Sequence, residues 1–370
     1  MATKTRTWRW LTSVRPRWWM CLWLLLPAQA GWANACTSAD SACTEWIIVG
    51  GGPARALVYR SHSLETRAEG VRRALVVIHG QGRNADGYFR SALAAAFLAG
   101  ALENTVVVSP RFASNEGSLC RDGLAPNELN WTCLGADSWR NGAPAIGQGQ
   151  ITSYDVLDEI LRRLVRTDVF PNLKTLVVAG HSAGGQFAVR YGMANQAHER
   201  LPVSPTYIVA NPSSYTYLDS LRPTSSAIPP TVAAAAPGYI LPRPAEPPPP
   251  FAAFADARGC TTYDSWPYGL QHRTGYSAKL PDAQLKKQLA TRPITYVLGE
   301  LDILPLYGFD GSCSAMAQGP TRLARGLAFA KYVNENFGAQ HKTLVVPACG
   351  HNARCMFTAE RVLPLLFPKE

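Results

Sequence analysis

Short continuous apolar runs alternate along the chain with longer stretches whose apolar residues recur at helical spacing. That alternation predicts buried strands separated by amphipathic helices. Trp46 to Val49 and Ala56 to Tyr59 read as two opening strands joined through Gly50-Gly51-Gly52-Pro53, and Ala74 to Ile78 as an apolar strand ending in His79-Gly80. A helix is expected over Tyr88 to Leu102, a strand over Thr105 to Ser109, a polar loop over residues 112–150 and a helix over Tyr154 to Val165. The strand Thr175 to Ala179 runs straight into Gly180-His181-Ser182-Ala183-Gly184 and a helix from Ala183 to about Ala194. Further strands are expected at Pro205 to Ala210, Ile294 to Leu298 and Thr343 to Val346, with helices at Leu323 to Phe337 and Phe357 to Leu366. Strands and helices in alternation imply an α/β fold, a mostly parallel central sheet with helices on both faces.

Two stretches break the pattern. The first 35 residues hold Lys4, Arg6, Arg9, Arg15 and Arg17 but no acid, then an apolar run from Trp18 to Leu26, then Ala33-Asn34-Ala35. A basic start, a short apolar middle and an A-x-A ending describe a secretory signal peptide over residues 1–35, cut after Ala35 or Ala30. The apolar run is short for a membrane span, which needs about 20 residues. The other break lies between residues 222 and 250, with ten prolines and only three charged residues. Proline at that density removes backbone donors, so neither helix nor sheet continues through it. Because strands of the same sheet resume at Ile294, the stretch reads as part of a surface insertion, residues 212–285, after the sixth strand of a single domain, residues 36–370.

Composition narrows the setting. Hydrophobic residues make up 47% and charged ones 17%, a globular balance. Loss of the leader leaves 31 basic against 26 acidic residues, a net charge of +5 in place of +10. No basic run concentrates that excess, which argues against a nucleic-acid partner. Eight of the nine cysteines remain, an even number suited to the oxidising periplasm or exterior. Eight cysteines allow 105 pairings. Cys36/Cys43, Cys120/Cys133 and Cys349/Cys355 would close short loops, leaving Cys260/Cys313. A metal site at Cys349, His351 and Cys355 is a weaker reading, because no C-x-x-C pair or second histidine completes it.

A serine hydroxyl needs a base beside it, an acid to orient that base and donors for the oxyanion that forms. Ser182 sits where a strand turns sharply into a helix, the context in which a G-x-S-x-G serine is held exposed. The base must lie at the carboxyl end of a strand. His351 does, just past Val345-Val346-Pro347-Ala348-Cys349-Gly350, whereas His341 precedes that strand and His62, His198 and His272 follow no buried one. Asp302 follows Ile294 to Leu298, with Glu300, Asp310 and Asp219 as rivals for the acid. Ala183, at the helix start, and Gln81, in His79-Gly80-Gln81-Gly82-Arg83, are the candidate oxyanion donors through their backbone N–H groups.

On His79-Gly80-Gln81-Gly82, Gly180-His181-Ser182-Ala183-Gly184, Asp302 and His351, in that order, the chain resembles secreted esterases of the α/β-hydrolase fold. That superfamily includes lipases, feruloyl esterases and polyhydroxyalkanoate depolymerases, and the strand pattern matches over about residues 45–367. The loop has one glycine before Gln81 and departs from the triple-glycine His-Gly-Gly-Gly form of some short-chain esterases. The resemblance implies hydrolysis of a small-molecule or polymeric ester through an acyl-enzyme on Ser182, with no metal or organic cofactor and no membrane contact after leader removal. It also implies that segments after Pro205 to Ala210 cover the site, which makes Tyr215, Tyr217, Tyr263, Trp266 and Tyr268 candidate substrate contacts. The competing readings are a serine peptidase of the same fold and an exported binding protein without catalysis. Sequence alone sets no oligomeric state.

Overall fold

The computed structural model describes residues 1–3, 5, 7, 35–117, 120–224, 248–306 and 308–369. The chain divides into two compact units, residues 1–32 and 33–370, and every described strand and helix belongs to the second. Nearly all of the expected leader, and residues 225–247 of the proline-rich stretch, lie outside the described residues.

Eight strands form one sheet: β1 (Thr44–Ile48), β2 (Arg55–Arg60), β3 (Arg73–Ile78), β4 (Thr105–Pro110), β5 (Thr175–His181), β6 (Pro205–Ala210), β7 (Ile294–Gly299) and β8 (Lys342–Val346). Their order is β1-β2-β4-β3-β5-β6-β7-β8. β2 pairs antiparallel with β1 and β4, and every other neighbouring pair is parallel. Strands β3 to β8 therefore all end at one edge, where loops can converge.

Successive side chains of a strand point to opposite faces, and here both faces are dry. Ala74, Val76 and Ile78 of β3 join one apolar layer while Leu75 and Val77 join the other. In β5, Leu176 and Val178 oppose Val177 and Ala179 in the same way. Strands buried on both faces are apolar throughout rather than alternating.

The covering helices are α1 (Ala85–Leu98), α2 (Ser153–Leu164), α3 (Ala183–Ala194), α4 (Asp282–Thr291), α5 (Arg322–Phe337) and α6 (Ala353–Thr358). α1 and α6 share one apolar layer, and α2 to α5 share the other. α2 begins at a capping box, in which Thr152 and Asp155 satisfy each other's backbone N–H groups.

Three expectations shift. α1 starts at Ala85 and gives way after Leu98, where Gly100 adopts a φ of +63°. The single helix expected over Phe357 to Leu366 is two pieces, α6 and Leu363–Leu366, separated by extended backbone at Ala359. Pro364 lacks the N–H that an uninterrupted helix would need and sits in the first turn of the second piece. α4 carries the chain from the insertion back to β7, where no helix was expected. Leu285 and Leu289 are its buried apolar side chains, too sparse a stripe to stand out by periodicity.

Four disulfides join Cys36 to Cys43, Cys120 to Cys133, Cys260 to Cys313 and Cys349 to Cys355. Disulfide-bonded Cys349 and Cys355 are not thiolate ligands for a metal. Leu221–Pro223 pairs antiparallel with Phe251–Ala253, a small ribbon at the base of the proline-rich stretch. Among the described residues no helix is long and apolar enough to cross a membrane.

The interior holds histidines in their neutral form. Desolvation pushes His62, His79 and His341 down to about 4. His79 is fully buried: its Nδ1–H donates to the Gly80 carbonyl at 2.8 Å, and its Nε2 accepts from the Phe112 N–H at 3.0 Å. A second proton on this ring would turn acceptor against donor. In the unfolded chain these rings take up protons near pH 6.5. Their stabilising contribution is therefore complete above about pH 6.5 and is lost as pH falls from there toward 4. Thermal melts across that range are expected to show a falling Tm, and a flat Tm from pH 8 to pH 4 would contradict this account.

Candidate active site

The turn from β5 into α3 is closer than side chains permit. A Cβ on Gly180 would lie 2.0 Å from the Gly184 carbonyl oxygen, one on Gly184 2.2 Å from that of Ile78, and one on Gly185 2.6 Å from that of Ala210. Glycine at these places lets the helix start pack on the ends of β3 and β6. Ser182, between them, has a φ of +60°, a rare conformation for a side-chain-bearing residue. Its N–H donates to the Ala210 carbonyl at 2.9 Å.

Three side chains from three strand ends meet there. Ser182 Oγ lies 2.9 Å from His351 Nε2, and Asp302 Oδ2 lies 2.8 Å from His351 Nδ1. A carboxylate only accepts, so Nδ1 carries the proton and Nε2 is left to accept from the serine hydroxyl. Asp302 is 2% exposed, so this hydrogen bond acts with little screening by water. Of the rival acids, Glu300 accepts from the Ala348 N–H, Asp310 from Tyr268 and Ser312, and Asp219 from Tyr332.

Several groups that sequence reasoning passed over hold this arrangement. Arg322, at the start of α5, donates from Nη1 to Asp302 Oδ1 at 3.2 Å, from Nε to Ser213 Oγ and from Nη2 to the Leu306 carbonyl. Its cue in sequence is slight, an arginine at a helix start facing inward. Asn211 has a φ of +46°; its Oδ1 accepts from the Gly299 N–H and its Nδ2 donates to the Gly350 carbonyl. It ties the loop bearing the acid to the loop bearing the histidine. Tyr88 Oη is 3.0 Å from His181 Nδ1, and a side chain at Gly80 would strike that hydroxyl. The His181 ring centroid is 4.7 Å from that of His351. Burial, followed by His351 and Arg322, holds His181 far below the usual histidine range.

The site opens into a cleft of about 690 Å³ bordered by Gly80, Gln81, Ser182 and His351. Ala183 is the first residue of α3, whose leading N–H groups have no acceptor within the helix. Gln81 borders the cleft with Gly80, and a Cβ at Gly80 would lie 3.7 Å from Ser182 Cβ.

The aromatic candidates separate. Tyr215 and Tyr217 are corrected: both are fully buried, Tyr215 stacked on Phe329 and Tyr217 packed against Tyr332, so they anchor the insertion to the core. Tyr263 packs on Phe254 and takes the Arg222 guanidinium over its ring, outside the cleft. Trp266 and Tyr268 line a second cavity that adjoins the first.

A family model described as "Alpha/beta hydrolase family" matches residues 75–364. Among solved structures, the chain is similar to LpqC, a poly(3-hydroxybutyrate) depolymerase from Bordetella parapertussis, at 21% identity and a TM-score of 0.56, over 88% of this chain and 90% of that one. It is equally similar to poly(aspartic acid) hydrolase-1 from Sphingomonas sp. KT-1, at 21% identity and a TM-score of 0.56, over 88% of this chain and 98% of the other. Likeness at that identity speaks for a shared fold. No curated protein matches the chain.

Proposed function

The chain belongs to the alpha/beta hydrolase family, and from that premise we propose that it is an exported serine hydrolase that cleaves carboxylic esters through an acyl-enzyme on Ser182. The observation that carries the proposal is the hydrogen-bonded line Ser182 Oγ, His351 Nε2, His351 Nδ1, Asp302 Oδ2. In the first step Ser182 Oγ bonds to the ester carbonyl carbon while its proton passes to His351 Nε2. The Ala183 and Gln81 N–H groups receive the negative charge that gathers on the carbonyl oxygen. Collapse breaks the bond to the alcohol, which leaves with the proton from His351. Water then repeats the sequence on the acyl-enzyme and releases the acid. Asp302 keeps Nδ1 protonated throughout and steadies the imidazolium. Export is supported by the basic-apolar-small leader and by four disulfides, which persist in oxidising compartments.

Incubating the mature protein with a fluorophosphonate and mapping the adduct by peptide mass is expected to place it on Ser182, alongside turnover of p-nitrophenyl esters. An adduct on another serine, or none, would overturn the assignment. An adduct on Ser182 without ester turnover would point to amide bonds instead.

A further inference from the structure

The cleft over Ser182 does not end at Gln81. At Gln81, Leu134 and Gly308 it meets the second cavity, of about 470 Å³. Gln186, one turn along α3 from Ser182, stands in the wall of that cavity. His351 must pass its proton to the departing alcohol, so the alcohol lies on the side where the wall of the first cavity continues from His351 to Arg354. The acyl group then extends the other way, into the second cavity.

That cavity carries an excess of positive charge, with Arg140 and Arg190 in its wall against one carboxylate, Asp310. Arg190 is fully buried and spends its donors on neutral acceptors: Thr216, Asn141, Ser214 and the Pro267 carbonyl. Arg140 is half-buried; its Nε donates to Ser138 Oγ at 3.0 Å, and its Nη1 reaches Gln186 Oε1 only at 3.4 Å. Among the described residues neither arginine has a carboxylate within ion-pair distance, and Arg140 Nη2 has no acceptor. The carboxylate in the wall, Asp310, is already engaged by the Tyr268 hydroxyl and by Ser312 Oγ and N–H. Trp266, in the same wall, holds a buried Nε1–H without an acceptor. Burial of two cations near one carboxylate that pairs with neither is unfavourable; burial, only partly offset by Asp310, lowers the proton affinity of Arg140 and brings Arg190 down to about 10. An anion entering with the substrate would relieve this.

We propose that the second cavity receives a carboxylate at the far end of the acyl group, bound by Arg140, so that the preferred substrates are half-esters of dicarboxylic acids. The proposal rests on the ester-hydrolase reading of Ser182. It is tested with monoethyl esters of diacids of stepped length against ethyl esters of monoacids of equal length, followed by acid release. At the fitting length the wild-type protein is expected to favour the half-ester in kcat/KM by about tenfold or more, the scale of a charge-assisted hydrogen bond. Arg140→Gln is expected to bring that ratio toward one, Arg140→Lys to retain part of it, and Asp310→Asn to raise it. The free diacid of that length should inhibit wild-type turnover more strongly than the monoacid. A wild-type ratio near one at every length, or a ratio unchanged by Arg140→Gln, would overturn the subsite while leaving ester hydrolysis intact. Absence of turnover on every ester would overturn the underlying reading, and the subsite with it.

Discussion

Replacing Ser182 with alanine is expected to lower kcat on esters by about 10⁶-fold, and Asp302→Asn by about 10⁴-fold. The two losses have different origins. Without the Ser182 hydroxyl there is no acyl-enzyme, and what remains is whatever water can do in a cleft that still binds the ester. With asparagine at position 302 the hydroxyl survives, but the side chain can present an amide donor to His351 Nδ1, which favours the tautomer with its proton on Nε2. That ring is no longer a base toward Ser182. Asp302→Asn also removes the charge that faces Arg322, whose pair with it is nearly solvent-free, and breaking a buried pair typically costs about 3–5 kcal/mol. Turnover has to be compared at a temperature where melts show both proteins folded. Retention of more than about a tenth of wild-type kcat by either variant would remove that residue from the proposed mechanism.

Gly184→Ala is expected to leave little folded protein. The new methyl group would lie 2.2 Å from the Ile78 carbonyl oxygen and 2.6 Å from that of His79. Both atoms are backbone, at the end of a strand paired on both sides. Neither can yield without parting α3 from the sheet, so a loss above about 4 kcal/mol is expected, the range reserved for severe packing faults. Gly149→Ala, where a Cβ meets nothing within 4 Å, is the matched control. Soluble yield and Tm of the two variants decide the matter, and a Gly184→Ala protein that melts within a few degrees of wild type would refute the argument.

The eight strands were legible in sequence because most lie between helices, and a strand dry on both sides has to be apolar at nearly every position. Candidates for the serine, the acid and the histidine could be sought in sequence for a related reason. Chemistry in such a sheet gathers where parallel strands end, so each candidate could be sought just past an apolar run. Contacts that depend on side-chain direction were not legible. Tyr215 and Tyr217 stand in a segment near the cleft, but nothing in their spacing tells whether the rings face a substrate or Phe329. Arg322 and Asn211 belong to the same class. Their value comes from partners at Asp302, Gly299 and Gly350, which only the folded chain brings near. The α4 helix escaped because its few buried leucines follow a long irregular stretch, where periodicity has little to act on.

The ribbon formed by Leu221–Pro223 and Phe251–Ala253 gives the insertion a neck. The paired backbone holds the point where the chain departs next to the point where it returns. Ring closure depends only logarithmically on contour length, so doubling such a loop costs about 0.6 kcal/mol. Residues added between Pro223 and Phe251 would therefore lengthen the connection while the ribbon keeps its two ends together. A foreign peptide inserted there would enter and leave through the same two short strands, at a distance in sequence from every strand of the eight-stranded sheet.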